Sequence, residues 1–135
     1  MPAVTIGERG LELAHRHVLV VEDNPDNRDT LVMLLEALGH EVVAASDGPS
    51  GVAAGVAIRP EVAIVDIGLP GFDGFEVGRR LREALGGSVM LVALTGYGQA
   101  SDRERSREAG FDVHLTKPAE VDELADVVSR SRVDP

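Results

Sequence analysis

Apolar residues along the chain fall into two alternating patterns: short continuous runs rich in Val, Ile and Leu, and longer segments in which they recur at helical spacing. Continuous runs mark strands covered on both faces, and helical spacing marks amphipathic helices, so the alternation predicts successive βαβ units. The predicted strands are His17 to Val21, Glu41 to Ala45, Val62 to Asp66, Val89 to Ala93 and Asp112 to Leu115. After the first, Asn24 and Pro25 open a helix that carries Leu31, Leu34, Leu35 and Leu38 on one stripe and stops at Gly39. A second helix is expected from Gly48 to Ile58, where Gly51 and Gly55 lower the intrinsic propensity and Pro60 ends the segment. A third, Phe75 to Leu85, turns Val77, Leu81 and Leu85 inward, and the last, Glu120 to Ser131, does so with Leu124, Val127 and Val128. The stretch "QASDRERSREA", Gln99 to Ala109, has helix formers and alternating charge but almost no apolar stripe, which predicts a weakly anchored helix.

Strands and helices in this order predict an α/β fold, a doubly wound (βα)5 flavodoxin-like sandwich with a central five-stranded parallel sheet. A length of 135 residues with 44% hydrophobic content suits one such domain, expected over residues 17–131. Residues 1–16 then read as an N-terminal tail or linker and 132–135 as a C-terminal tail. The complete lack of cysteine excludes disulfides, thiol nucleophiles and thiolate metal sites. No run of about 18 apolar residues is present to cross a bilayer, and no secretory signal opens the chain, so a cytoplasmic protein without membrane contact is expected. With 23 acidic against 13 basic side chains, the formal charge of −10 argues against direct nucleic-acid binding and favours cations and basic partners.

Charge also decides the candidate chemistry, because in a doubly wound sheet ligands bind outside the carboxyl ends of the strands. Glu22 and Asp23 follow the first predicted strand, Asp66 ends the third, Thr95 follows the fourth, and Lys117 follows the fifth. Taken singly, each has an ordinary structural role: a helix cap, a turn hydroxyl, a solvated charge. Together they empty acids, a hydroxyl and an ammonium onto one rim. Three carboxylates in a small space repel one another unless a cation lies among them, and oxygen-only ligands suit Mg2+ or Mn2+. Mg2+ commonly shares its shell with a phosphate oxygen, for which Lys117 and the Thr95 hydroxyl are complementary donors. Asp66 is then the natural nucleophile, since a carboxylate forms an aspartyl phosphate without prior deprotonation.

The stretches "VLVVEDNPDNR", "VAIVDIGLPGFDGFEV", "LVALTGYG" and "GFDVHLTKPAE" resemble, in order and spacing, the motifs of the receiver domain of two-component response regulators, from about His17 to Arg130. The resemblance implies that Glu22 and Asp23 bind Mg2+ together with Asp66 and the backbone carbonyl of Gly68. It implies that Asp66 accepts a phosphoryl group from a phosphohistidine on a histidine kinase or histidine phosphotransfer protein. It further implies that Thr95 moves toward that group, that Lys117 pairs with it, and that the Lys117–Pro118 bond is cis. A signalling switch rather than an enzyme follows, relaying its signal through the face around the fourth helix, fifth strand and fifth helix. On that face a downstream effector is expected to dock or a homodimer to form.

Some positions depart from the family pattern. Three residues before the lysine the family often carries an aromatic switch residue, and His114 stands there, where a partly exposed histidine at a strand end is an equally good reading. No recognisable DNA-binding module follows Arg130, so output is expected to pass through a partner. The wording of "ALTGYGQASDRERSREAGFDVHLTKP" is similar to receivers of hybrid sensor histidine kinases. Tyr97, two residues after Thr95, is expected to shield the phosphoryl group and lengthen its lifetime, while Gly68 has no side chain to orient or block the hydrolytic water. A phosphatase of the haloacid dehalogenase type is the rival enzyme, but it needs a second Asp where Gly68 stands. A phosphate-independent scaffold of the same fold is the rival binding module. It commonly lacks one of the acids, the Thr or the Lys, and all are present here.

Overall fold

The structure, a computed structural model, describes residues 15–96 and 100–130. Five strands, β1 (His17–Val21), β2 (Glu41–Ala45), β3 (Val62–Asp66), β4 (Met90–Thr95) and β5 (Val113–Thr116), form one parallel sheet in the order β2-β1-β3-β4-β5. The helices are α1 (Pro25–Ala37), α2 (Gly48–Ile58), α3 (Gly74–Leu85), α4 (Ala100–Glu108) and α5 (Val121–Ser129), and a 3-10 turn, Gly86–Ser88, precedes β4. This is the doubly wound flavodoxin-like arrangement that the alternating pattern predicts. Among the described residues no helix is long and apolar enough to cross a membrane.

Successive residues of a strand face opposite sides of the sheet, and the core divides accordingly. Leu19, Val21, Ala63 and Val65 pack with Val77, Leu81 and Phe111 on one side. Val18, Val20, Val62 and Ile64 pack with Leu31, Leu35, Leu124 and Val127 on the other. Every residue of β3 is buried, which is why its sequence is a continuous apolar run up to Asp66. Side chains of Asn24, Asp47 and Asp73 cap α1, α2 and α3 by accepting from the backbone N–H of Asn27, Ser50 and Glu76. Among its described side chains α4 buries only Ser106, with Ala109 just beyond its end, in keeping with its missing apolar stripe.

Two features were not foreseen from periodicity. β4 and β5 each end later than their apolar runs, because the ladder continues into polar residues: Thr95 pairs with Thr116. The glycines that make α2 a poor intrinsic helix lie against the sheet, where a Cβ on Gly51 would come within 2.8 Å of Val21 Cγ2. Gly55 likewise faces Leu81 and Leu19, so small size, which lets the helix approach closely, outweighs propensity here.

Arg82 holds the far end of the sheet together. Its Nη1 donates to Gly86 O at 2.6 Å and Val89 O at 2.9 Å, its Nη2 to Gly110 O at 2.7 Å and Asp112 Oδ2 at 2.6 Å. The same Asp112 oxygen accepts from Leu91 N at 2.9 Å, so α3, the 3-10 turn, β4 and the entry to β5 share one guanidinium. Arg82→Ala is expected to lower unfolding free energy by about 2–3 kcal/mol, since partly buried carbonyls lose charged donors. Urea unfolding measures it. A loss no larger than the roughly 0.5 kcal/mol of an ordinary surface substitution would show that water replaces the arginine.

Candidate functional site

From β1 the chain goes outward to β2 and then returns to β3 on the other side of β1, so strand order reverses between β1 and β3. Their carboxyl ends therefore open a crevice with no crossover helix lying across it. Glu22 and Asp23 leave β1 at this point and Asp66 ends β3. Carboxylate oxygens of the three all lie within 4.8 Å of one another, with Glu22 and Asp66 buried and Asp23 exposed. Lys117, from the loop after β5, brings Nζ to 3.1 Å from Asp66 Oδ2 and 3.2 Å from Glu22 Oε1.

Backbone donors fix the two buried acids. Gly68 N donates to Asp66 Oδ1 at 2.9 Å, and Asn24 N donates to Glu22 Oε2 at 3.1 Å. Thr95 is buried at the end of β4, and its carbonyl accepts from Lys117 N at 2.7 Å, which ties the lysine loop to the rim. The Lys117–Pro118 bond is cis, as the resemblance implies.

Electrostatically the site is short of positive charge. Burial pushes the Glu22 carboxyl above the ordinary range and Asp66 pushes it further, against the lowering effects of the Asn24 N–H and Lys117. Burial works against the Lys117 charge as well, yet Asp66 and Glu22 together hold its ammonium above the ordinary lysine range. Glu22 Oε1 is buried and accepts no hydrogen bond; its contact with Lys117 is an ion pair only. Three acids facing one ammonium, all with oxygen donors, fit a small hard dication such as Mg2+ or Mn2+.

The structure brings Glu22, Asp23, Asp66 and Lys117 together and puts Thr95 and Gly68 beside them. His114 lies on β5, half-buried, away from the carboxylates, with Nδ1 3.1 Å from Ser106 Oγ on α4. Ser106 Oγ also donates to Arg103 O at 2.9 Å, so its lone pairs are left to accept from the imidazole N–H. His114 thus bridges β5 and α4, a link no linear pattern indicates. Tyr97 lies outside the described residues.

Gly74 is a site residue that sequence reasoning missed. It opens α3 directly behind the end of β3, and a Cβ there would overlap Asp66 O and lie 2.7 Å from Ile67 Cα. The available signal was a glycine directly after the capping Asp73, at a helix position where other residues are intrinsically better.

The sequence profile of the response regulator receiver domain matches residues 18–129. Protein PilH of Pseudomonas aeruginosa is 31% identical over 113 residues, 83% of this chain and 93% of that protein. The transcriptional regulator RpaA of Synechocystis is 35% identical over 79% of this chain, which spans only 45% of RpaA. Among solved structures, the receiver domain of the sensor histidine kinase PA1611 of P. aeruginosa, with magnesium coordinated in its active-site cleft, superposes with a TM-score of 0.79. It is 33% identical, over 87% of this chain and 98% of that one. The chain belongs to the response regulator receiver domains, the phosphoryl-accepting switches of two-component signalling.

Proposed function

We propose that Asp66 is the phosphoacceptor and that transfer to it depends on Mg2+, or Mn2+ in its place. The observation that carries this reading is the convergence of Glu22, Asp23 and Asp66 oxygens within 4.8 Å, with Lys117 Nζ 3.1 Å from Asp66. An Asp66 carboxylate oxygen attacks the phosphorus of a partner's phosphohistidine and forms the P–O bond. The P–N bond breaks with its electron pair leaving on the imidazole nitrogen, which then takes a proton from water. Glu22, Asp23, Asp66 and the Gly68 carbonyl would hold the dication, which when bound offsets charge on the transferring phosphoryl oxygens. Lys117 exchanges its Asp66 contact for a phosphoryl oxygen, and the buried Thr95 hydroxyl turns toward another.

The signal then travels along Thr95 and β5 to α4, which His114 and Ser106 link and which is thinly packed. A downstream effector or a second copy reads the α4–β5–α5 face, the protein works in the cytoplasm, and nucleic acid is not bound directly. Residues 17–131 form the receiver, with 1–16 and 132–135 as flanking segments. The likeness to the PA1611 receiver supports a parent of the hybrid sensor kinase kind. With a small phosphodonor and Mg2+, intact-mass spectra are expected to gain a single phosphoryl group, and chelating the metal is expected to suppress it. Equal labelling with the metal chelated would overturn the metal dependence.

A further inference from the structure

We propose that His15, His17 and Glu41 form a second metal site, for a transition-metal dication such as Zn2+, at the end of the sheet opposite the carboxylate cluster. His17 opens β1 and Glu41 opens β2, and the two are direct partners in the parallel register. His15, two residues before His17, sets its ring beside that of His17, the centroids 5.6 Å apart. Ligand atoms of the three lie within 4.8 Å of one another, and all three side chains are exposed, so an ion has open access.

The Glu41 carboxylate is shared. His17 Nε2 stands 2.9 Å from its Oε1 and His15 Nε2 3.8 Å from its Oε2. For ligands about 2.0–2.1 Å from a tetrahedral ion, neighbouring ligand atoms are about 3.3 Å apart, a value that these two separations bracket.

One outer nitrogen is committed and the other has a carboxylate close by, in the manner of metal-binding histidines. His15 Nδ1 is 2.8 Å from the Gly39 carbonyl, which can only accept, so an N–H sits there and Nε2 is the nitrogen that faces Glu41. His17 Nδ1 is 3.6 Å from Glu61 Oε1, an oxygen fixed beside it by a 2.6 Å hydrogen bond from the His17 backbone N–H. Each ring thus turns Nε2 toward the Glu41 carboxylate, where a proton or a metal ion can bridge the pair. One metal ion can bridge both rings to the carboxylate at once, whereas protons would have to be bound separately. Imidazole with a single carboxylate suits Zn2+ and its neighbours in the first transition row rather than Mg2+, and three protein ligands leave one position for water. His40 lies nearby, but it is buried with Nδ1 accepting from Arg16 N at 3.1 Å and serves the fold instead. Binding would clasp the start of β1 to the start of the edge strand β2.

The test is titration of the tag-free chain with Zn2+ by calorimetry, in saturating Mg2+ so that the acidic cluster is filled. One equivalent of Zn2+ is expected to bind, with at least about tenfold weaker binding in His17→Ala and in Glu41→Gln. Co2+ used as a coloured probe is expected to give a visible tetrahedral band in the wild type and none in His17→Ala. Circular dichroism checks that these surface variants are folded. Three results would overturn the proposal: no Zn2+ uptake by the wild type, uptake unchanged in the His15→Ala, His17→Ala double variant, or uptake lost only in Asp66→Asn, which would assign the ion to the acidic cluster.

Discussion

Asp66→Asn is expected to reduce phosphoryl labelling to background while leaving the fold intact. The amide keeps the shape of the carboxylate, and its oxygen can still accept from Gly68 N, whose hydrogen bond to Asp66 Oδ1 is 2.9 Å long. It lacks the anionic oxygen that the proposed attack on phosphorus requires, so the expected loss is of the nucleophile and not of its setting. Stability provides the control. Asp66 is one of three acids in a cluster that contains a single ammonium, and Lys117 keeps Glu22 at 3.2 Å as a partner when Asp66 is neutral. Removing one like charge relieves repulsion, so without Mg2+ the variant's Tm should equal or exceed that of the wild type. Label that persists in Asp66→Asn would move the acceptor elsewhere. A Tm several degrees lower would mean that Asp66 holds the fold, and the loss of label would then say nothing about nucleophilicity.

The residues of this cluster were legible in the sequence for a simple reason. Glu22, Asp23 and Asp66 interrupt or end apolar runs, and a strand that is buried along its whole length announces its end when a charge appears. Parallel strands of a doubly wound sheet all finish on the same edge, so linear positions translate directly into proximity. What stayed hidden depends on register or on close approach. Nothing in the linear pattern pairs His17 with Glu41, because that pairing follows from how β2 slides along β1. The His114–Ser106 link requires the placement of α4 over β5, and α4 has almost no apolar stripe from which its placement could be read. The helical pattern of α3 carries no signal for Arg82, whose role follows from where the 3-10 turn carries the Gly86 and Val89 carbonyls. The α2 glycines read as a flaw in a helix, and the β1 side chains and the α3 residue Leu81 packed against them explain their size.

Gly74→Ala is expected to be far more damaging than a single methyl group ordinarily is. Alanine is intrinsically better than glycine in a helix, by up to about 1 kcal/mol in the interior and less at a first position such as this, so propensity alone predicts a more stable protein. Packing predicts the reverse, because the added Cβ would meet main-chain atoms, Asp66 O and Ile67 Cα, instead of the yielding tip of a side chain. Those atoms cannot move alone. Asp66 pairs with Leu94 across β3 and β4, and Ile67 N donates to Leu94 O at 2.9 Å, so relief must come from shifting α3 or bending the end of β3. Overpacking of this kind costs on the order of 3 kcal/mol, which exceeds the propensity gain. The displacement also falls on the backbone that aims Asp66 at Lys117, so phosphorylation of the folded fraction should slow by about tenfold or more, as small misplacements of reacting groups do. Urea unfolding and labelling rates, corrected for the folded fraction, measure the two effects separately. A variant as stable as the wild type, labelled at the same rate, would show that α3 can move away from the acceptor strand without disturbing it, and Gly74 would no longer count as part of the site.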